Sequence, residues 1–212
     1  MAMQGRSTLR GHRVVGLGGY AECGKDAVAG ILQHAGWKRT YMSRPLEKAL
    51  LVLDPWCEIT KAEADAMFGE GQVRVVGEGS IWRYSDLHTA VGYDLSKKCK
   101  DVREYLQKLG TEVGRNMFAD DVWVRIGFKK IDKWLQHGHC AAITGIRFLN
   151  EMDALHERKG IAVWVNRPGY EPVNAHSSDN TLGPKDFDLI VDNDGTLHDL
   201  QKKVLTLTVP WN

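Results

Sequence analysis

The chain has 212 residues, 43% of them apolar, which is enough for one packed domain or for one domain carrying an insertion. A formal net charge of +1 sets up no general basic field, so stable nucleic-acid binding is not expected, and no apolar run reaches the roughly 20 residues of a membrane span. Cys23, Cys57, Cys99 and Cys140 lie scattered without a C-x-x-C pair, which suits a reducing cytoplasm and argues against a disulfide framework or a zinc site.

Residues 1–12 are basic, lack an apolar signal core and read as an N-terminal tail ahead of a single domain, 13–212. The apolar run 13–17 is a strand, and 25–35 is a helix that Gly36 stops. A short strand over 37–42 and a helix over 46–53 follow, the latter broken by Asp54-Pro55. Thr60 and Glu63 form a capping-box pair that opens a helix to Phe68. Residues 69–79 are glycine-rich and read as a loop or hairpin; short and long helices follow near 84–91 and over 98–117. Asp120-Asp121 opens a helix to about 136. Strands at 139–144, 161–165 and 188–191 then alternate with helices at 150–159 and 196–207. Strand–helix alternation implies a mainly parallel sheet covered on both faces, a three-layer α/β/α architecture. The stretch 54–98 fits it poorly and reads as an inserted, mostly helical substrate lobe, and 167–184 is long enough to be a lid loop.

The most informative segment is Gly19-Tyr20-Ala21-Glu22-Cys23-Gly24-Lys25-Asp26, which is G-x-x-x-x-G-K-D, one residue away from the phosphate-binding P-loop pattern ending in Ser or Thr. Its glycines let backbone N–H groups converge on phosphate oxygens, and the loop runs into a helix N-terminus that favours anions. The loop 19–27, ending at Ala27, is therefore expected to hold a nucleoside triphosphate, with Lys25 on the β- and γ-phosphates. Asp26 stands where the magnesium-binding hydroxyl usually is. It is the expected ligand of Mg²⁺ or of its water shell, since Ala27 has no oxygen to offer.

Three further groups carry chemistry. In the long helix Arg103, Gln107, Thr111 and Arg115 step every four residues, opposite an apolar face of Val102, Leu106, Leu109 and Val113. Two guanidiniums, an amide and a hydroxyl suit a phosphate plus a base or sugar; a solvated polar face has the same pattern. Arg147 and Glu151 sit just past a strand end, where ligands of open parallel sheets bind. Arg147 could there stabilise a transferring phosphoryl group, while the pair also fits a simple helix-surface contact. Arg167 could reach phosphates, and His176 is either a general base or a structural hydrogen-bonding residue.

Taken in order, these segments resemble the bacteriophage deoxynucleoside monophosphate kinases. The resemblance is carried by Gly24-Lys25-Asp26, the segment Ser43 to Glu47, the block Val102 to Arg115, Asp120 to Trp123, Arg147 to Glu151, His176 to Asp179 and Asn193 to Thr196. It implies transfer of the ATP γ-phosphoryl group to a deoxynucleoside 5′-monophosphate in the host cytoplasm. It implies a catalytic set of Lys25, Asp26 and Arg147, with Ser43, Arg44, Arg103, Gln107, Thr111, Arg115 and Glu151 toward the substrate. Where the family often has Thr and Asp this chain has Ala27 and Gly145, so the metal leans on Asp26. A homodimer is compatible with this reading.

Three alternatives stand beside it. Gly16 to Ala21 also fits G-x-G-x-x-A, and Ser43-Arg44 could accept a 2′-phosphate, as in an NADP-dependent Rossmann oxidoreductase. A P-loop kinase acting on hydroxymethylpyrimidine in DNA and a non-enzymatic nucleotide-binding module are the others.

Overall fold

A computed structural model describes residues 9, 11–72, 79–170 and 182–208. The chain divides into two compact units, one comprising residues 1–42 and 124–212, the other residues 43–123.

The first unit is built on five strands, β1 (Val14–Gly18), β2 (Lys38–Tyr41), β5 (Ala141–Thr144), β6 (Ile161–Asn166) and β7 (Leu189–Asp192), in the order β2-β5-β1-β6-β7. Every pairing is parallel; Val14 lies opposite Ala141, Val15 opposite Ile161, and Lys38 opposite Ala141. Parallel neighbours need crossover connections, so helices cover both faces. Alternation along β1 sorts them. Val15 and Leu17 pack with Val28, Ala29 and Leu32 of α1 (Lys25–His34) and with Leu200 and Val204 of α8 (Leu197–Thr208). Val14 faces the other way, into a cluster with Phe128 and Ile131 of α6 (Val122–Gln136) and Met152 and Leu155 of α7 (Leu149–Glu157). Glycines on that second face of β1 make room. A Cβ on Gly16 would lie 2.5 Å from Leu155, and one on Gly18 would lie 2.1 Å from the Phe187 ring. The expected three-layer α/β/α fold is observed.

The second unit differs from expectation in three ways. It runs over 43–123, whereas the sequence suggests an insertion over 54–98. It is not only helical: β3 (Trp56–Thr60) and β4 (Gly79–Arg83) form an antiparallel ribbon, with Cys57 opposite Trp82. These strands pair across the intervening α3 (Lys61–Phe68), so no local turn announces them. The long helix is also composite. It is α-helical over α5 (Lys100–Gln107) and π-helical from Lys108 to Phe118. Around these pack α2 (Arg44–Leu53) and α4 (Tyr84–Ser96), the latter kinked at Gly92. Leu50, Ile59, Tyr84, Leu87 and Val102 form the small core. Cys57 and Cys99 are buried in it, and Cys99 stands as N-cap of α5. Hydrogen bonding from the Cys57 thiol and from the first α5 amides lowers Cys99 to about 7.

The capping box appears as expected: Glu63 N–H donates to Thr60 Oγ1 at 3.3 Å, and Thr60 N–H donates back to the Glu63 carboxylate at 2.9 Å. The expected lid is described only at 167–170 and 182–184; His176 and the rest of it lie outside the described residues.

Candidate functional site

The loop after β1 has the backbone its glycines allow. Gly19, Glu22 and Gly24 all have positive φ, at 136°, 58° and 102°. A Cβ on Gly19 would lie 2.5 Å from the Val165 carbonyl oxygen, and one on Gly24 would lie 2.5 Å from the Asn193 amide, so both positions exclude side chains. Gly24 is the N-cap of α1, and no side chain caps that helix end. The first amides of α1 thus stand at the loop without a side-chain acceptor, as an anion site requires. Beneath the loop, the Tyr20 ring packs edge-on against Trp164 with centroids 5.1 Å apart.

Lys25 leans back over this loop. Its Nζ donates to the carbonyls of Gly19 (2.8 Å) and Tyr20, and lies 3.6 Å from Cys23 Sγ. Burial pushes its pKa below the usual lysine range, and the neighbouring positive charge of Arg147 adds to the effect. Two cations therefore converge at the loop, and an anionic ligand would relieve both their desolvation and their mutual repulsion. Asn193, from the segment after β7, donates through Nδ2 to the Cys23 carbonyl at 3.0 Å and so ties the loop from outside. Residue chemistry alone did not single Asn193 out; only its place in a family-like segment pointed to it. Arg167 also reaches the loop. It donates to the Glu22 carbonyl at 3.4 Å and lies 4.7 Å from the centroid of the Tyr170 ring.

Two of the expected site residues have partners of their own. Glu151, expected toward the substrate, is buried, and Oε2 accepts the backbone N–H groups of Arg147 (2.8 Å) and Phe148 (3.3 Å). Its carboxylate closes the start of α7 and sets the backbone that carries Arg147, because the first amides of a helix need acceptors. Asp26, the expected metal ligand, pairs through Oδ1 with Arg39 of β2 at 2.5 Å. That pair is exposed and of a kind worth about 0–1 kcal/mol, so a cation arriving with phosphate oxygens can compete for the carboxylate. Among the described residues no three His, Cys, Asp or Glu side chains gather as a metal cluster. A single carboxylate does fit Mg²⁺, which commonly takes one or two together with substrate phosphates.

In the second unit the stripe Arg103, Gln107, Thr111, Arg115 lies on α5 and the π segment. In an α-helix residues four apart drift by about +40° per step, so the stripe would fan over about 120°. A π-helix has about 4.4 residues per turn, and the drift reverses to about −33° per step. With the change at Lys108, the four side chains stay within about 70°. The wider turn has a visible partner. The Trp123 indole donates to the Gly110 carbonyl at 2.8 Å, and a Cβ on Gly114 would lie 2.2 Å from its Nε1. Exposure falls along the stripe: Arg103 and Gln107 are exposed, Thr111 is half-buried, and the Arg115 side chain is 10% exposed. Arg115 is fixed by Asp120, donating through one terminal nitrogen to its carbonyl (2.7 Å) and its Oδ1 (3.2 Å). Arg103 donates to the Lys97 carbonyl at 3.2 Å.

Ser43 is the N-cap of α2, with Arg44 at its first turn. Buried Glu47 lies 3.5 Å from the Arg44 guanidinium and 2.8 Å from His88 Nε2. Asp120 and the Glu47–His88 pair are positioning groups that spacing could not reveal, since each acts on a residue from another turn or element.

A five-stranded parallel sheet with a G-x-x-x-x-G-K loop between β1 and α1 defines a three-layer α/β/α fold of the P-loop class. The dinucleotide alternative finds no support in the topology. In the Rossmann order the second strand lies beside the first, whereas here β5 separates β1 from β2.

The profile of the family Deoxynucleotide monophosphate kinase matches residues 79–204, and the chain belongs to that family. The chain is 31% identical over 104 residues to "Deoxynucleotide monophosphate kinase" of Enterobacteria phage T4. It is 28% identical over 104 residues to the protein of that description in Escherichia phage RB69. Each match covers 49% of this chain and 43% of the relative, so the chain aligns with less than half the length of these curated relatives. Among solved structures, "Dephospho-CoA kinase from Campylobacter jejuni" aligns over 93% of this chain and 96% of that one, at 10% identity and a TM-score of 0.45. No helix among the described residues is long and apolar enough to cross a membrane.

Proposed function

We propose that the protein transfers the γ-phosphoryl group of ATP to the 5′-phosphate of a deoxynucleoside monophosphate, giving ADP and the deoxynucleoside diphosphate. A phosphate oxygen of the acceptor attacks the γ-phosphorus, and the bond from that phosphorus to the β–γ bridging oxygen breaks. Such transfer needs positioning and charge stabilisation rather than covalent help from the protein. The observation that carries the reading is Lys25: a cation folded onto the carbonyls of its own loop, desolvated, beside Arg147 and the uncapped start of α1.

In this reading the loop amides and Lys25 hold the β- and γ-phosphates of ATP, and Arg147 stabilises the charge that develops on the transferring group. Arg167 flanks the loop and contacts the donor phosphates. Asp26 holds Mg²⁺, which would neutralise phosphate charge. In the second unit Arg115 and Arg103 hold the acceptor phosphate, and Gln107 and Thr111 contact its base or sugar. Ser43 and Arg44, the latter steadied by Glu47, border the acceptor.

The test is a panel of dAMP, dCMP, dGMP, dTMP, dUMP and hydroxymethylated deoxynucleotides with ATP and Mg²⁺, scored for diphosphate product. Product from at least one monophosphate supports the reading. Hydrolysis of ATP without transfer to any of them overturns it.

A further inference from the structure

Two of the four cysteines belong to the second unit, and they meet in its core. Cys57 and Ile59 are the inward-facing residues of β3, whose other residues, Trp56, Glu58 and Thr60, are exposed. Cys99 closes the turn after α4, where its N–H donates to the Ser96 carbonyl at 3.1 Å, and it is the N-cap of α5. Both side chains are fully buried in one apolar cluster with Leu50, Tyr84 and Val102. The two chain segments are clamped together beside them. Glu58 N–H donates to Asp101 Oδ2 at 2.8 Å, and Lys100 N–H donates to the Glu63 carboxylate at 2.7 Å. Across this clamp the Cys57 thiol donates to the Cys99 sulfur.

Burial of one cysteine is ordinary packing, but two facing thiols, one of them at a helix start, bring redox chemistry. Their other contacts are weak sulfur contacts: Cys57 Sγ lies 3.9 Å from the Pro55 carbonyl oxygen, and Cys99 Sγ lies 3.4 Å from that of Glu58. The two sulfurs are not equivalent. The Cys57 thiol and the first amides of α5 favour the Cys99 thiolate, as helix N-termini do for anions. The shared hydrogen bond and burial push Cys57 the other way, so it stays protonated. A nucleophilic thiolate beside a protonated thiol is the arrangement of an attacking and a resolving cysteine.

We propose that Cys57 and Cys99 form a modification site that hydrogen peroxide closes reversibly to a disulfide. This oxidant is small and uncharged, so a buried pair is within its reach. The Cys99 thiolate attacks one peroxide oxygen. The S–O bond forms, the O–O bond breaks, and the leaving hydroxide takes up the proton that Cys99 had released, giving water. The Cys57 sulfur then attacks the Cys99 sulfur of the sulfenic acid. The S–S bond forms, the S–O bond breaks, and hydroxide leaves with the Cys57 proton as a second water. The thiols are thereby oxidised by two electrons, and one peroxide is reduced to two waters. The bridge joins β3 to the start of α5 across α3, β4 and α4, a long loop whose closure constrains the unfolded chain. Neither cysteine has a role in the kinase reading, on which the site does not depend.

The full chain is treated with hydrogen peroxide under native conditions, alkylated with iodoacetamide in denaturant, and mapped by mass spectrometry without reduction. The expected product is a Cys57–Cys99 cross-linked peptide, lighter by two hydrogens than its two halves and released by dithiothreitol. It accumulates before Cys140, the most exposed of the four thiols, is modified. The bridged chain melts several degrees above the chain reduced again with dithiothreitol. In Cys57→Ser, dimedone traps Cys99 as the sulfenic acid; in Cys99→Ser, Cys57 stays unmodified. The mapping of the unsubstituted chain decides the matter alone if either variant fails to fold. Recovery of Cys57 and Cys99 as alkylated thiols after Cys140 has oxidised overturns the site. So does a bridge that forms only in denaturant, or a bridged chain that melts below the reduced one. Dimedone labelling of Cys57 in Cys99→Ser, with none of Cys99 in Cys57→Ser, overturns the order of attack. A chain that forms the bridge but phosphorylates no monophosphate would reject the kinase reading and leave the pair standing.

Discussion

The two units hold Lys25 and Arg115 by different means. In the first, a buried parallel sheet fixes the ends of β1, and glycines with excluded side chains shape the loop, so Lys25 is positioned by backbone. In the second the core is small, and Arg115 is positioned by one partner residue: the carbonyl and the carboxylate of Asp120 hold it, and the Trp123 indole packs on the helix that carries it. Backbone positioning tolerates little substitution but needs no partner residues. Positioning by a partner residue is adjustable, which on the proposed function would suit discrimination between acceptors.

The sharpest way to break the comparison is Lys25→Met. On the proposed function, kcat/KM falls by at least about 10³ in a coupled ADP assay, because a charge contact made in the transition state is worth several kcal/mol. The ligand-free protein should not lose stability. The folded pKa of Lys25 is below its unfolded value of about 10.4. Between the two the unfolded chain binds the extra proton, so wild-type stability rises with pH across that window, and the full penalty is present below the folded value. Calorimetric Tm values for Lys25→Met should match or exceed wild type at pH 7, with any advantage shrinking toward pH 10. Activity within tenfold of wild type would remove Lys25 from the reaction.

Arg115→Ala comes next. KM for the deoxynucleotide should rise about 10- to 150-fold, as expected for loss of one charge-assisted phosphate contact, with KM for ATP little changed. Arg103→Ala should move in the same direction, and Gln107→Ala should reorder the ranking of bases more than the rate. A change confined to KM for ATP would reverse the assignment of donor and acceptor.

Glycine substitutions separate the two positioning modes. Gly18→Ala forces a Cβ into the Phe187 ring and should cost about 1–3 kcal/mol in urea unfolding, with KM values unchanged in the protein that remains folded. Gly114→Ala pushes on the Trp123 indole and shifts the π segment, so it should also raise KM for the acceptor. Equal effects of the two on KM would show that the indole does not set the stripe.

The smallest effect belongs to Asp26→Asn. Only a weak exposed pair with Arg39 is lost on the protein side, so Tm should hardly move, while the Mg²⁺ concentration for half-maximal rate rises severalfold. An unchanged Mg²⁺ curve would place the metal elsewhere.

Much of the first unit was legible in the chain because its signals are local. Apolar runs and the Gly24-Lys25 step after β1 each act within a few residues, and each is found where the chain announces it, as is the Thr60/Glu63 cap in the second unit. The ribbon of β3 and β4 was not legible, since its partners are separated by a whole helix and neither strand is long enough to declare itself. Glu151 looked like a ligand because spacing cannot show that a carboxylate is consumed by the amides of its own helix start. The pairing of Asp26 with Arg39 was not legible either, because Arg39 reaches it from another strand.

The sequence by itself therefore determined the alternation of strands and helices, the phosphate-binding loop and the polar stripe, all consequences of short-range chemistry. Tertiary structure decided the rest. It set the strand order that separates this fold from a dinucleotide-binding one, and it brought Arg147 near Lys25 and Asn193 against Cys23. It also made the π turn on which Trp123 seats against Gly110 and Gly114. Each of these depends on residues far apart in the chain meeting at a few ångströms, and that distance is not written in any local pattern.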